Sequence, residues 1–142
     1  MKFVKHLLET KSNQIFSVTR DTSVFDALKV MMEKNISALL VMEYSTLEGI
    51  FTERDYARKI ILQGKSSKET AISEVMTADL LTINEKDSID HCMQLMTDKH
   101  IRHLPVLEAG VVIGLVSIGD VVKYVIQDQK QTIQQLESYI TS

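Results

Sequence analysis

Two hydroxyl–acid pairs in this sequence have the types and spacing to do chemistry: Thr52 with Asp55, and Ser117 with Asp120. In each pair the carboxylate follows the hydroxyl by three residues, a glycine precedes the hydroxyl by three (Gly49, Gly114), and a base follows the acid by three (Arg58, Lys123). If the hydroxyl stands where a strand enters a helix, the first helical turn offers unpaired N–H groups and a partial positive charge, which favour a phosphate. The hydroxyl can donate to that phosphate. An aspartate one turn in is acceptor-only at neutral pH and can take two hydrogen bonds from a vicinal diol, as acidic residues do on the ribose of dinucleotides. The base lies a further turn along the same face, within reach of a second phosphate. The set suits a ribose carrying a phosphate. The same residues also suit a plainer role, with Thr52 and Ser117 as N-caps and Glu53, Asp55 and Asp120 complementing the helix dipole.

The two pairs lie in a repeat. Residues 15–59 overlay residues 80–124 at an offset of 65 without a gap, and 9 of the 45 paired positions are identical. So few identities make the retained glycine, hydroxyl and acid conspicuous, and they mark one small unit used twice. Each copy reads as β-α-β-β-α. In the first, Ile15–Val18 is a strand, and Asp21-Thr22-Ser23 offers N-cap chemistry for a helix from about Val24 to Lys34 with Val24, Ala27, Leu28, Met31 and Met32 as its apolar stripe. Asn35 is its C-cap, Ile36–Glu43 a strand covered on both faces, Leu47–Thr52 a second strand, and Glu53 starts a helix to about Leu62. In the second, Leu80–Ile83 is a strand and Ser88–Lys99 a helix with Ile89, Cys92, Met93 and Met96 inward. Ile101–Leu107 and Val111–Val116 are strands, and a helix begins near Gly119. Pro105 falls inside a strand, which requires an edge or an interruption there. Val4, Leu7 and Leu8 share a face of a short N-terminal helix. The domains are therefore drawn as residues 1–64 (first repeat with the N-terminal helix), 65–72 (polar linker), 73–127 (second repeat) and 128–142 (C-terminal helix extension). Ile126, Ile133, Leu136 and Ile140 form a coiled-coil-like seam along the last helix, suited to packing on its own subunit or to a subunit interface.

Bulk properties narrow the function. The net charge of -3 argues against a nucleic-acid binder. No apolar run approaches the roughly 20 residues of a membrane span, and the N-terminal stretch lacks the apolar core of a secretory signal. A single cysteine, Cys92, fits a reducing cytoplasm and reads as a small buried residue, since its repeat counterpart is Ala27. His100 and His103 straddle a helix-to-strand turn with no local third ligand, so no metal site is expected.

Gly-apolar-apolar-Thr/Ser-x-x-Asp closing a β-α-β-β-α unit twice resembles a pair of CBS domains, the Bateman module. Ile101-Arg102-His103-Leu104-Pro105-Val106 resembles the second-strand motif of that family, and Ser73-Glu74-Val75-Met76-Thr77 its lead-in to a second copy. The resemblance covers about Phe3 to Gln127 and implies an α+β fold in which the two units pack with pseudo-two-fold symmetry. It implies a stand-alone regulatory module, not an enzyme, that binds AMP, ADP, ATP or NAD(H) between the repeats, with S-adenosylmethionine ranking behind them. The ligand-dependent shift would be read by a target protein, and a homodimer is expected. Carried over to this sequence, Asp55 and Asp120 hold ribose hydroxyls and Thr52 and Ser117 meet phosphate. Adenine lies among Ser17–Thr19, Ser37–Leu39 (with Ala38), Thr82–Asn84 and His103–Pro105 (with Leu104). The copies differ: Arg102 and His103 stand where the first has Ser37 and Ala38, and Arg54 stands where the second has Gly119. This favours a monophosphate at Asp120, and a second or larger nucleotide using Arg54 and Arg58 at Asp55. The rival reading is a ligand-free protein-interaction or dimerisation module.

Overall fold

The computed structural model describes residues 2–12 and 14–141, and its contacts divide them into two compact units. One is built from residues 14–81 with 109–112. It contains β1 (Ser17–Val18), α2 (Val24–Lys34), β2 (Ala38–Glu43), β3 (Thr46–Thr52) and α3 (Glu53–Asp55), which runs on as a π-helical stretch, Tyr56–Ile61. A 3-10 turn, Ile72–Glu74, follows. The other contains α1 (Val4–Glu9), α4 (Ile89–Lys99), β4 (His103–Glu108), most of β5 (Val111–Ser117), and α5 (Ile118–Thr141). The fold is mixed α and β, with a three-stranded sheet ordered β1-β2-β3 and a two-stranded β4-β5 sheet.

The helices begin and end where local chemistry dictates. Ser23 and Ser88 accept from the N–H of Asp26 and His91, at 3.1 and 3.0 Å. Asn35 and His100, equivalent in the repeat, end α2 and α4 in the left-handed conformation. Val24, Ala27 and Met31 face a core with Leu39, Val41 and Phe51, and Ile89, Cys92 and Met96 face one with Leu104, Val106 and Val116. Two methionines depart from the expected stripes: Met32 is 77% exposed and Met93 sits at the edge of exposure. Each is one position beyond a buried face that is already complete.

The strand expected at Leu80–Ile83 shrinks to one parallel bridge, Ile83 to Val106. The cause is Pro105. In the first repeat, Leu40 N–H donates to the carbonyl of Phe16 at 3.3 Å, extending β1 beside β2. Pro105 is the counterpart of Leu40 and has no N–H, so the matching bond to Leu81 cannot form. The ladder retains only the Ile83–Pro105 and Leu107–Ile83 bonds.

The packing also cuts across the sequence division. The segment before each repeat docks on the other repeat's sequence. In one unit Val4 and Lys5 donate to the carbonyls of Asp87 and Glu85, and Ile89 donates to Lys2, at 2.8, 3.0 and 3.0 Å. In the other, Ile72 and Ser73 donate to Thr22 and Arg20, and Val24 donates to Thr70, at 2.7, 3.1 and 2.9 Å. Residues 2–8 and 70–76 are thus a second repeated element, at an offset of 68. The paired glycines accommodate it. A Cβ on Gly49 would lie 2.7 Å from Met76 Sδ and 2.9 Å from the Thr77 carbonyl, and one on Gly114 would lie 2.8 Å from a Leu8 methyl. Close approach of this segment, rather than of a ligand, accounts for both glycines.

Candidate functional site

Both hydroxyl–acid pairs sit at a strand-to-helix junction, and both are closed by reciprocal capping. Asp55 N–H donates to Thr52 Oγ1 at 3.2 Å, and Thr52 N–H donates to Asp55 Oδ2 at 3.0 Å. Asp120 N–H donates to Ser117 Oγ at 3.1 Å, and Ser117 N–H donates to Asp120 Oδ2 at 2.9 Å. The first helical N–H of each, on Glu53 and Ile118, goes to the carbonyl of Ser37 and Arg102. Much of the donor capacity at these helix starts is therefore used internally.

The two carboxylates then diverge. Asp55 is buried, and both its oxygens are engaged. Oδ2 also accepts from the Thr52 hydroxyl at 3.2 Å, and Oδ1 accepts from Thr77 Oγ1 at 3.0 Å and pairs with Lys59 at 3.1 Å. Lys59 also donates to the Val75 carbonyl, so Asp55 fastens the lead-in segment to its unit. Asp120 is more open, its side chain 28% exposed. Lys11 donates to Asp120 Oδ2 and to the Leu115 carbonyl, both at 2.7 Å. Burial works against the Asp120 charge, but the bonds from Lys11 and the Ser117 N–H outweigh it and hold the carboxyl below its usual range. A carboxylate has about four acceptor positions, and these bonds use two of them.

Beside Asp120 lies a cluster of bases. Burial pushes His103 below its ordinary pKa, Asp120 pulls it up, and Arg102 and Lys11 push it down, which leaves a neutral imidazole at physiological pH. Lys11, Asp120 and Lys123 line one groove of about 520 Å³ with Tyr124. Arg102 and Lys123 are exposed. Lys11 was not among the residues singled out from the sequence. It precedes the repeat, and no motif marks it.

The remaining residues fall into three groups. Ser17, Thr19, Ser37, Thr82 and Asn84 are exposed at strand ends and turns. Asn84 shapes the entry to α4 by accepting from Lys86 N–H at 2.8 Å. Ala38, Leu39, Leu104 and Pro105 are buried, with Leu39 and Leu104 in the two cores. Arg54 and Arg58 are exposed, Arg58 within the π-helical stretch. Cys92 is buried and its thiol is pushed up to about 11 by burial, which makes it unreactive as a nucleophile. Among the described residues no group of three or more potential ligands could hold a metal ion, and no helix is long and apolar enough to cross a membrane.

The repeated strand–helix units, each closed by a capped Gly-x-x-Thr/Ser-x-x-Asp turn, define a CBS-domain pair. The sequence profile of the CBS domain matches residues 4–62 and 72–127, and the chain belongs to this family. Among curated relatives it is 46% identical over 127 residues to the mitochondrial CBS domain-containing protein CBSX3 of Arabidopsis thaliana, covering 86% of this chain and 62% of that protein's length. It is 32% identical over 112 residues to YhcV of Bacillus subtilis, covering 79% of each. Among solved structures it resembles a CBS-domain protein of Burkholderia ambifaria, at 50% identity and a TM-score of 0.87, over 90% of this chain and 96% of that one. It also resembles the CBS domain pair of protein MJ0100, solved with 5'-methylthioadenosine and S-adenosyl-L-methionine, at 28% identity and a TM-score of 0.79, over 90% and 98% of the two chains.

Proposed function

We propose that this CBS-domain pair is a regulatory binding module for an adenosine ligand, with Asp120 holding the ribose hydroxyls. One observation carries the reading: a partly exposed, ionised carboxylate with unused acceptor positions stands at a helix start beside Lys11, His103 and Arg102. The acid suits a diol and the bases suit a phosphate. Ser117, Lys123 and Arg102 are assigned to the phosphate, and His103 with Thr82 and Asn84 to the base, whereas the expected contacts from Leu104 and Pro105 are ruled out by their burial. Adenosine compounds bound to the MJ0100 pair support the ligand class. Within it we favour AMP, ADP, ATP or NAD(H) over S-adenosylmethionine. The role is non-catalytic. The protein works in the cytoplasm as a homodimer, and a target protein reads the shift between ligand-linked states, to the extent that affinity differs between them.

A second reading is favoured at the first repeat. The Asp55 carboxylate is enclosed by Thr52, Thr77 and Lys59, so its role is to secure the lead-in segment. If both acids serve only in this way, the chain is an interaction module without a ligand.

Calorimetric titration of nucleotide-free protein with AMP, ADP, ATP, NAD, NADH and S-adenosylmethionine separates the two. A ligand at 100 times its Kd adds about 2.7 kcal/mol of stability. Asp120→Ala is expected to cost roughly 1.5–3 kcal/mol of that ligand's binding. Binding by none of the six, or binding indifferent to Asp120→Ala, overturns the ligand site.

A further inference from the structure

Among the described residues, the C-terminal half of α5 has no apolar cover. Every residue from Gln129 to Thr141 is exposed, and the four turns carry Ile133, Leu136, Tyr139 and Ile140 at 54, 57, 83 and 79% exposure. An isolated helix of this length is marginal in water and depends on burying an apolar face. The N-terminal half of the same helix offers such a face. A shallow groove of about 590 Å³ runs along it, floored by Ile118, Val122 and Ile126. The apolar residues of both halves form one seam: Val122, Ile126, Ile133, Leu136 and Ile140 follow at spacings of 4, 7, 3 and 4.

We propose that the occupant of this groove is the C-terminal half of α5 from a second copy of the chain, laid antiparallel. In that register Val122 faces the partner's Ile140, Ile126 the partner's Leu136, and Gln129 the partner's Ile133. Lys123 then flanks the partner's Glu137 and Val125 flanks the partner's Tyr139, each contact made twice by the two-fold axis. A parallel pair forms no such ion pair, because Lys130 would flank Val125 and Glu137 would flank Thr132. The antiparallel arrangement sets Lys130 beside its own copy near the axis, a solvent-exposed repulsion that salt screens. The pairing gives the homodimer of the proposed function a specific interface; because it shares Lys123 with the phosphate assignment, it is tested on nucleotide-free protein.

Sedimentation equilibrium of the full chain tests it. The wild type is expected to dimerise, and Leu136→Asp to abolish dimerisation while leaving the circular dichroism of the body intact. Lys123→Glu and Glu137→Lys should each weaken the dimer roughly tenfold, because two symmetric ion pairs become repulsions, and the double variant should restore it. A wild type that stays monomeric, or a dimer indifferent to Leu136→Asp, overturns the interface. Loss with Leu136→Asp but no rescue by the charge swap overturns the antiparallel register while leaving a homodimer in place. Leu136→Asp and Glu137→Lys lie outside the proposed ligand site, so their effect on the dimer is read separately from any effect on nucleotide binding.

Discussion

Lys11 does two jobs at one atom: it neutralises Asp120 and ties the chain after α1 to the Leu115 carbonyl in β5. The first job has a pH signature. Asp120 has a folded pKa below its ordinary value, so its contribution to stability is complete above the ordinary carboxylate range and is lost as pH falls through the depressed value. Lys11→Met removes the ion pair and should destabilise the protein at about pH 7, with the gap from wild type closing as the pH falls below the ordinary carboxylate range and through the depressed value. Urea denaturation across that range measures it. A gap that stays constant would assign the whole effect of Lys11 to Leu115 and packing. The same substitution bears on the ligand, since an ammonium already bonded to Asp120 must share that carboxylate with a ribose diol. None of this was legible from residue types alone. The hydroxyl–acid spacing identifies the junctions, but whether an acid is open, like Asp120, or enclosed, like Asp55, depends on donors such as Lys11 and Thr77, which lie far away in sequence.

At the scale of elements, the glycines and the proline explain where the two repeats agree and where they part. Gly49→Ala would drive a Cβ against the backbone carbonyl of Thr77, whereas Gly114→Ala meets only a methyl at the end of the Leu8 side chain. The first should therefore cost more, about 1–3 kcal/mol, and the second less, because a leucine methyl can turn aside and a bridged carbonyl cannot. Urea midpoints of the two variants check the order; equal costs would mean that the lead-in segments move equally easily. Alternating and helical apolar patterns made most elements readable, from the start of α2 after Asp21-Thr22-Ser23 to the doubly covered β2. Two features were not readable. The expected strand at Leu80–Ile83 has a suitable composition, but its partner lacks the N–H needed to extend the ladder. The repeat of residues 2–8 in 70–76 runs at an offset of 68 rather than 65, so a gap-free overlay of the two copies passes over it.

At the scale of the whole molecule, that second repeat changes which parts of the chain fold together. The N-terminal helix is contiguous with the first repeat, yet its three buried side chains, Val4, Leu7 and Leu8, belong to the core formed by α4, β4, β5 and α5. Its backbone is bonded to residues 85–89 of the same unit. Fully burying one such side chain contributes about 1.5–3 kcal/mol, so the three together amount to at most roughly 4.5–9 kcal/mol. That is comparable with the entire stability of a small domain. Removing residues 1–11 should therefore unfold or loosen the distant second repeat and spare the adjacent first one. The deletion also removes Lys11, which acts in the same direction because its partner is Asp120. Hydrogen exchange read by peptide decides the matter. Protection is expected to collapse across α4, β4 and β5 while β2, β3 and α2 keep theirs. The opposite pattern, with loss confined to the first repeat, would show that proximity in sequence governs the folding unit and that the docking of α1 on residues 85–89 contributes little to it.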